Sequence, residues 1–322
     1  MPKPIDAEAP AETAPGKRRL SSALLAVMRP ALALGALALA GFLLHRTLSG
    51  QSADELLRLL RSAALGHVAA AIAFAFASYA CLTLFDFLAL RYAGKPLSYS
   101  RAALASFTSL SLGHNIGLAA LSSGAIRYHF YSRWGLSAGD VAKVILFCGA
   151  TVGIGLAALA ALALFLRPDL ATKLTGLPRE GMLMLAGGLA AALAGYFILC
   201  ASLRGQLTIR SWVVELPTPR LAAAQLLVGP LNFALVAACL HQALASLQQV
   251  SYPEVAASYV LANIASLIAH VPGGLGVIET VVTTTLPGAS VVAGLIVFRM
   301  VYFLLPLLPG AALLAWSMLF RR

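Results

Sequence analysis

Apolar positions in this chain do not alternate with polar ones; they run on. Unbroken apolar stretches of span length fall at 27–45, 63–85, 141–166, 182–203 and 221–246. A helix of roughly 20 apolar residues crosses the hydrocarbon core of a bilayer, so each stretch predicts a spanning helix. A sixth stretch, 290–319, carries Arg299 in its first half and Pro306 and Pro309 mid-course, which predicts a span with a kink. Two further regions are apolar but broken. Residues 102–125 are interrupted by Gly113-His114-Asn115-Ile116-Gly117 and Ser122-Ser123-Gly124, and residues 254–288 by Pro272-Gly273-Gly274-Leu275-Gly276. Ahead of the first stretch, the polar residues 1–25 contain Lys17-Arg18-Arg19. They predict a disordered cytoplasmic tail, followed by a single membrane domain over 26–320. A cleaved signal peptide is disfavoured, because Arg46 follows the first apolar run without a convincing cleavage site.

The basic loops order these segments. Cytoplasmic loops carry an excess of Lys and Arg. Arg91, Lys95 and Arg101 precede the first broken region, and Arg127, Arg133 and Lys143 follow it. Both groups lie on one side only if 102–125 enters the membrane and returns. With the N-terminus cytoplasmic, Arg204, Arg210 and Arg220 then fall inside and the uncharged 247–253 outside. Arg321-Arg322 ends inside if 254–288 also enters and returns, from the outside. Arg46, Arg58, Arg61, Arg167, Lys173 and Arg179 run against this pattern, so the charge bias is a preference. The expectation is an all-α polytopic membrane protein with about six full spans and two opposed re-entrant hairpins, roughly eight membrane segments. Such broken elements are the footprint of an inverted-repeat transporter. The overlay of residues 112–118 on 271–277 is a thin match in its favour.

Composition agrees. Of 322 residues, 60% are hydrophobic and 11% charged, against about 25% charged in a soluble domain; the mean hydropathy is +0.86. The net charge of +11 is spread between apolar runs, which argues against a nucleic-acid-binding face. The four cysteines all lie in apolar segments without CxxC spacing and predict neither disulfides nor a metal site. No P-loop, HExxH or credible triad is visible. ATP-driven transport by this chain alone, a cofactor and enzymatic catalysis are therefore not expected.

An ionisable side chain at membrane depth costs at least ~2.5–3.5 kcal/mol on insertion scales, so each needs a reason. Glu279 lies three residues after Gly276, and Arg299 is followed by Tyr302 at i+3 and Pro306 at i+7. One reading is a headgroup site: Arg299 holds a lipid phosphate, the backbone of Gly273, Gly274 and Gly276 approaches it, and Glu279 attracts a cationic substituent. The other is an ion pair that locks hairpin to helix. Arg127, Tyr131 and Trp134 share a helical face beyond the first break. They read as interfacial anchors, with Arg127 also within reach of an anionic lipid. His114 and Asn115 at the tip serve either a headgroup or exposed backbone. Asp86 reads as interfacial. Asn232, His241, Asn263 and His270 read equally as interhelical hydrogen bonds or ligands.

Gly113-His114-Asn115-Ile116-Gly117, Ser123-Gly124-Ala125-Ile126-Arg127-Tyr128 and Tyr131-Ser132-Arg133-Trp134-Gly135-Leu136-Ser137 together resemble the membrane domain of lysylphosphatidylglycerol synthases of the MprF type. So do Pro272-Gly273-Gly274-Leu275-Gly276-Val277-Ile278-Glu279 and Arg299-Met300-Val301-Tyr302 with Pro306. The resemblance runs from about residue 25 onward and implies a lipid flippase-like domain. Its implied cargo is aminoacylated phosphatidylglycerol or another anionic lipid, its implied setting a bacterial inner membrane, and its implied consequence resistance to cationic peptides. The family's aminoacyl transferase domain is not expected in this chain, which would act as a stand-alone member. The expected partner is thus an anionic membrane phospholipid, with a separately encoded lipid synthase and a homo-oligomer left open and nucleic acid excluded. The rival reading is a non-transporting membrane scaffold that docks such a synthase. An intramembrane transferase acting on lipid-linked sugars ranks third.

Overall fold

The computed structural model describes Arg58 and residues 61–319, apart from 117–118, 204–205, 210–211, 270–273, 287 and 289. The expected tail, the first expected span at 27–45, His270 and Gly273 lie outside the described residues. The rest is an all-α polytopic membrane protein with one short strand pair. Helix α1 (Leu65–Tyr92) is followed by α2 (Tyr99–Ile116), α3 (Ala119–Arg133), α4 (Ala138–Leu166), the short α5 (Pro168–Thr175) and α6 (Arg179–Ser202). Strands β1 (Gln206–Ile209) and β2 (Trp212–Glu215) pair antiparallel, Gln206 opposite Glu215. Then come α7 (Pro219–Ala245), α8 (Tyr252–Ala269), α9 (Val277–Thr285), α10 (Val291–Arg299), a π-helical turn (Met300–Leu304) and α11 (Leu305–Leu319). Among the described residues, five apolar helices are long enough to span: α1, α4, α6, α7 and the continuous α10–α11. They match the five expected spans that fall on described residues.

Local sequence sets the helix starts. Ser137 accepts from the Asp140 amide while Asp140 accepts from the Ser137 amide, a reciprocal cap that begins α4. Thr218 caps α7 and Pro219 occupies its first turn, where a missing N–H costs nothing.

Contacts at the helix ends assign each to one of two faces. On the first face, Lys95 lies 3.9 Å from Asp140, Tyr92 donates to the Glu215 carbonyl, and Arg133 donates to the Ser317 carbonyl. On the second, the Ala64 amide donates to the Ser246 carbonyl, His67 pairs with Gln242, and Arg167 lies 3.3 Å from Glu254. The α2–α3 pair therefore enters and returns on the first face. The α8–α9 pair does so on the second, where Gly288 abuts Gln248. The two hairpins are opposed. Each is preceded and followed by a full span: α1, hairpin, α4 in one unit and α7, hairpin, α10–α11 in the other, with opposite direction. This is the inverted succession that the charge pattern predicts.

The units meet in a tightly packed centre. At the α4–α7 crossing a Cβ on Gly155 would sit 2.5 Å from the Gly229 carbonyl, so the absence of side chains brings the two backbones into contact, as small residues do between membrane helices. Ser78 donates to Asn232 Oδ1 (2.7 Å) and also pairs with the Tyr302 hydroxyl (3.1 Å), which ties α1, α7 and the π turn together.

Candidate functional site

Glu279 and Arg299 are an ion pair. Arg299 Nε donates to Glu279 Oε1 at 2.8 Å, and a terminal guanidinium nitrogen donates both to Oε2 at 3.2 Å and to the Gly274 carbonyl at 3.1 Å. Its guanidinium also lies 4.8 Å from the Phe303 ring centre. The break before α9 is built for this. Gly274 and Gly276 have φ of +60° and +80°, a region that favours glycine. The helix N-terminus left by the break holds an anion as expected, but the anion is the chain's own: the Gly276 amide donates to Glu279 Oε2 at 2.8 Å. The Arg299 side chain is 7% exposed and that of Glu279 33%, so the carboxylate marks the open side of the pair.

The second constellation differs from its expectation. Asp86 is not interfacial: α1 runs on to Tyr92, which carries Asp86 inward and buries it completely. Arg127 from α3 grips it in a fork, Nε to Oδ2 at 2.9 Å and a terminal nitrogen to Oδ1 at 2.8 Å. Tyr131 donates at 2.6 Å and Ser106 at 3.0 Å. Arg127 therefore does not stand free at the hairpin mouth. Its remaining terminal nitrogen donates to Ser123 Oγ at 3.0 Å. Arg127 and Tyr131 do share a face, and that face is turned to a carboxylate.

Between the hairpin tips lies a cavity of about 380 Å³, in the range of small-molecule sites, about 300–1,000 Å³. The first hairpin contributes His114, Ser123 and Arg127, the second Asn263, Ser266 and Gly274. Spans α1, α4 and α7 and the π turn complete the wall, among them Asn232 and Tyr302. Two of the lining residues, Gly149 on α4 and Leu267 on α8, are exposed. The cavity is thus open to the flank of the bundle between α4 and α8. Two buried polar atoms facing it, His114 Nδ1 and Ser266 Oγ, have no hydrogen-bond partner among the described residues.

Two relatives match this chain in sequence. Over 244 residues the chain is 29% identical to the uncharacterized protein slr0712 of Synechocystis, a match that covers 74% of this chain and 76% of that one. Over 262 residues it is 26% identical to the inner membrane protein YbhN of Escherichia coli K12, covering 79% and 81%. The chain is thus similar to an inner membrane protein along most of its length. No family model matches it, so the resemblance to the lysylphosphatidylglycerol synthase membrane domain stands on the quoted motifs alone.

The structure therefore distributes the expected residues. Gly274, His114, Arg127 and Tyr302 line the cavity, while Arg299, Glu279 and Gly276 form the adjoining pair and Tyr131 stands behind Arg127. Asn115 serves backbone: its amide donates to the Ser111 carbonyl and, at 3.2 Å, to Phe303 in the π turn. Ser266 and Asn232 gain weight, and Asp86 gains most. Its signal was the Leu88-Ala89-Leu90 run after it, which continues the span beyond residue 85. No group of His, Cys, Asp or Glu among the described residues could hold a metal ion.

Proposed function

We propose that this protein is a multi-pass inner-membrane phospholipid translocator. The lipid headgroup occupies the cavity between the hairpin tips while its acyl chains stay in the bilayer, outside the opening at Gly149 and Leu267. One observation carries this reading: a cavity with apolar walls and a few polar side chains, framed by two hairpins entering from opposite faces, opens sideways toward lipid. Such opposed broken elements are how membrane transporters build a midplane site. The similarity to an inner membrane protein supports the location, and the basic loops on the first face support a cytoplasmic N-terminus. The resemblance to the synthase membrane domain points to aminoacylated phosphatidylglycerol, or alternatively an anionic phospholipid, as cargo, and to a role in surface charge and cationic peptide resistance. Movement is downhill or coupled to an ion gradient.

The test is lipid movement between leaflets in proteoliposomes, with Gly149→Trp placed at the opening. A Cβ at Gly149 meets nothing within 4 Å, so the bulky residue closes the mouth without disturbing the core. Gly187→Trp, on the outer helix α6 and also in open space, is the control. The expected result is protein-dependent movement that Gly149→Trp reduces at least tenfold and Gly187→Trp leaves unchanged. Movement unaffected by Gly149→Trp removes the cavity from the pathway. Absence of movement together with co-purification of a lipid synthase supports the scaffold reading instead.

A further inference from the structure

We infer that the cavity selects phospholipids whose headgroup joins a cationic nitrogen to its phosphate, with no net negative charge, over purely anionic ones. This rests on the translocation reading and narrows its substrate. The argument begins with charge. Arg127 is the one Arg, Lys, Asp or Glu side chain among the described lining residues, and its charge is already matched by Asp86, 0% exposed and 2.8 Å away. The neighbouring Arg299 is matched by Glu279 in the same way. A purely anionic headgroup meets no unmatched positive charge here. It would bring net charge out of water beside a buried carboxylate, and burial without a counter-charge is strongly unfavourable.

What remains unspent is hydrogen bonding and aromatic surface. A guanidinium has five N–H donors, and three from Arg127 have partners, two on Asp86 and one on Ser123. Two are left for a phosphate oxygen. Among the described residues the Ser266 hydroxyl has no partner, and the Asn232 amide nitrogen is unused while its oxygen accepts from Ser78. Around these donors stand the rings of Phe85, Phe233, Tyr259, Tyr302 and Phe303. Phe233 and Tyr259 have centroids 6.5 Å apart, Tyr302 and Phe303 5.3 Å. Aromatic faces attract a desolvated ammonium. His114 Nδ1, beside Tyr302 and without a partner among the described residues, offers a further lone pair in the tautomer protonated on Nε2. Neutral donors for phosphate and rings for an ammonium suit a zwitterion, whose own charges cancel.

The test uses phosphatidylethanolamine and phosphatidylglycerol labelled on the acyl chain, so that both headgroups are native, at fixed ionic strength. Wild-type protein is expected to move phosphatidylethanolamine about tenfold faster. Asp86→Asn releases Arg127 from its counter-charge and should shift the ratio toward phosphatidylglycerol. Phe233→Leu, which keeps an apolar wall and needs no charge rearrangement, should slow phosphatidylethanolamine severalfold more than phosphatidylglycerol. Equal rates in the wild type, or faster phosphatidylglycerol, overturn the inference and leave translocation standing. An equal loss for both lipids in Phe233→Leu overturns the aromatic part. Movement of neither lipid overturns the translocation reading and the inference with it.

Discussion

Removing either partner of the Asp86–Arg127 pair should cost far more than removing both. The Asp86 side chain is 0% exposed and that of Arg127 5%, so a charge left alone has no route to solvent. Breaking a buried pair from one side costs about 3–5 kcal/mol, whereas replacing both partners together is often close to neutral. Asp86 also accepts from Tyr131 and Ser106, so Asp86→Ala strands two hydroxyls besides the guanidinium and falls at the upper end of that range. Arg127→Ala leaves those two bonds in place and falls at the lower end. The double variant loses the hydrogen bonds but carries no unmatched charge, and it is expected to be more stable than either single variant. The Glu279–Arg299 pair supplies an internal comparison. Because Glu279 is 33% exposed, Arg299→Ala leaves a carboxylate that still reaches solvent. Its cost should fall between the ~0–1 kcal/mol of an exposed pair and the ~3–5 kcal/mol of a buried one. Reversible unfolding of the four variants in mixed micelles with increasing sodium dodecyl sulfate, followed by circular dichroism, gives the free energies. A double variant whose loss equals the sum of the Asp86→Ala and Arg127→Ala losses refutes the reasoning.

Two further substitutions probe the packing. Gly155→Ala places a Cβ 2.5 Å from the Gly229 carbonyl and should destabilise by about 1–3 kcal/mol through overpacking; Gly153→Ala on the same helix meets open space and should be neutral or slightly stabilising, so equal behaviour of the two in the same unfolding assay rejects the crossing. Asn115→Leu removes the donor to the Phe303 carbonyl and leaves a π-turn carbonyl without that partner, at about 1–2 kcal/mol; faster hydrogen exchange over residues 300–305 is the expected signature, and unchanged exchange rejects the role.

Much of this architecture is legible in the chain. Span length alone places α1, α4, α6, α7 and α10–α11, because an apolar run of that length has no other stable home. The first return follows from where Arg91, Lys95, Arg133 and Lys143 must lie, and the contacts of Lys95 with Asp140 and Lys143 with Glu215 bear that out; the second follows from placing Arg321-Arg322 on that same side. The Glu279–Arg299 pair is legible because both residues sit at membrane depth near a glycine break. Three features are not legible. Asp86 lies within a few residues of a basic loop, and sequence distance from a loop does not measure depth when a helix continues past it. Where a kink is expected ahead of Pro306, the helix forms a π turn over Met300–Leu304, and tertiary partners meet its carbonyls: Asn115 holds that of Phe303, and Tyr79 donates to that of Tyr302. The turn also removes Arg299 and Tyr302 from a common purpose, so that one reaches Glu279 and the other Ser78. The cavity is illegible for a more general reason: Arg127, Asn232 and Ser266 lie on three elements far apart in the chain, and each has a local explanation when considered alone.

The two units are alike in succession but reversed in charge. In the first, the returning arm of the hairpin carries the arginine and the preceding span the acid, Arg127 on α3 and Asp86 on α1. In the second, the returning arm carries the acid and the following span the arginine, Glu279 on α9 and Arg299 on α10. The reversal means that the architecture repeats while its chemistry does not. It also means that each hairpin is neutralised within its own unit. The contacts between the units near the cavity are instead uncharged: Ser78 with Asn232 and Tyr302, Asn115 with the Phe303 carbonyl, and glycine against glycine at residues 155 and 229. A charge pair bridging the units would have to be pulled apart, at the several kcal/mol cost of a stranded buried charge, whenever one unit moved against the other. With both buried pairs internal, relative movement near the cavity exchanges only hydrogen bonds and small-residue packing, each worth about 1 kcal/mol. The pairs that do join the units, Arg167 with Glu254 and Lys143 with Glu215, are solvent-exposed, and such pairs contribute little. The placement of the four charges thus keeps each hairpin rigid on its own span while leaving the seam between the units, where the cavity lies, inexpensive to rearrange.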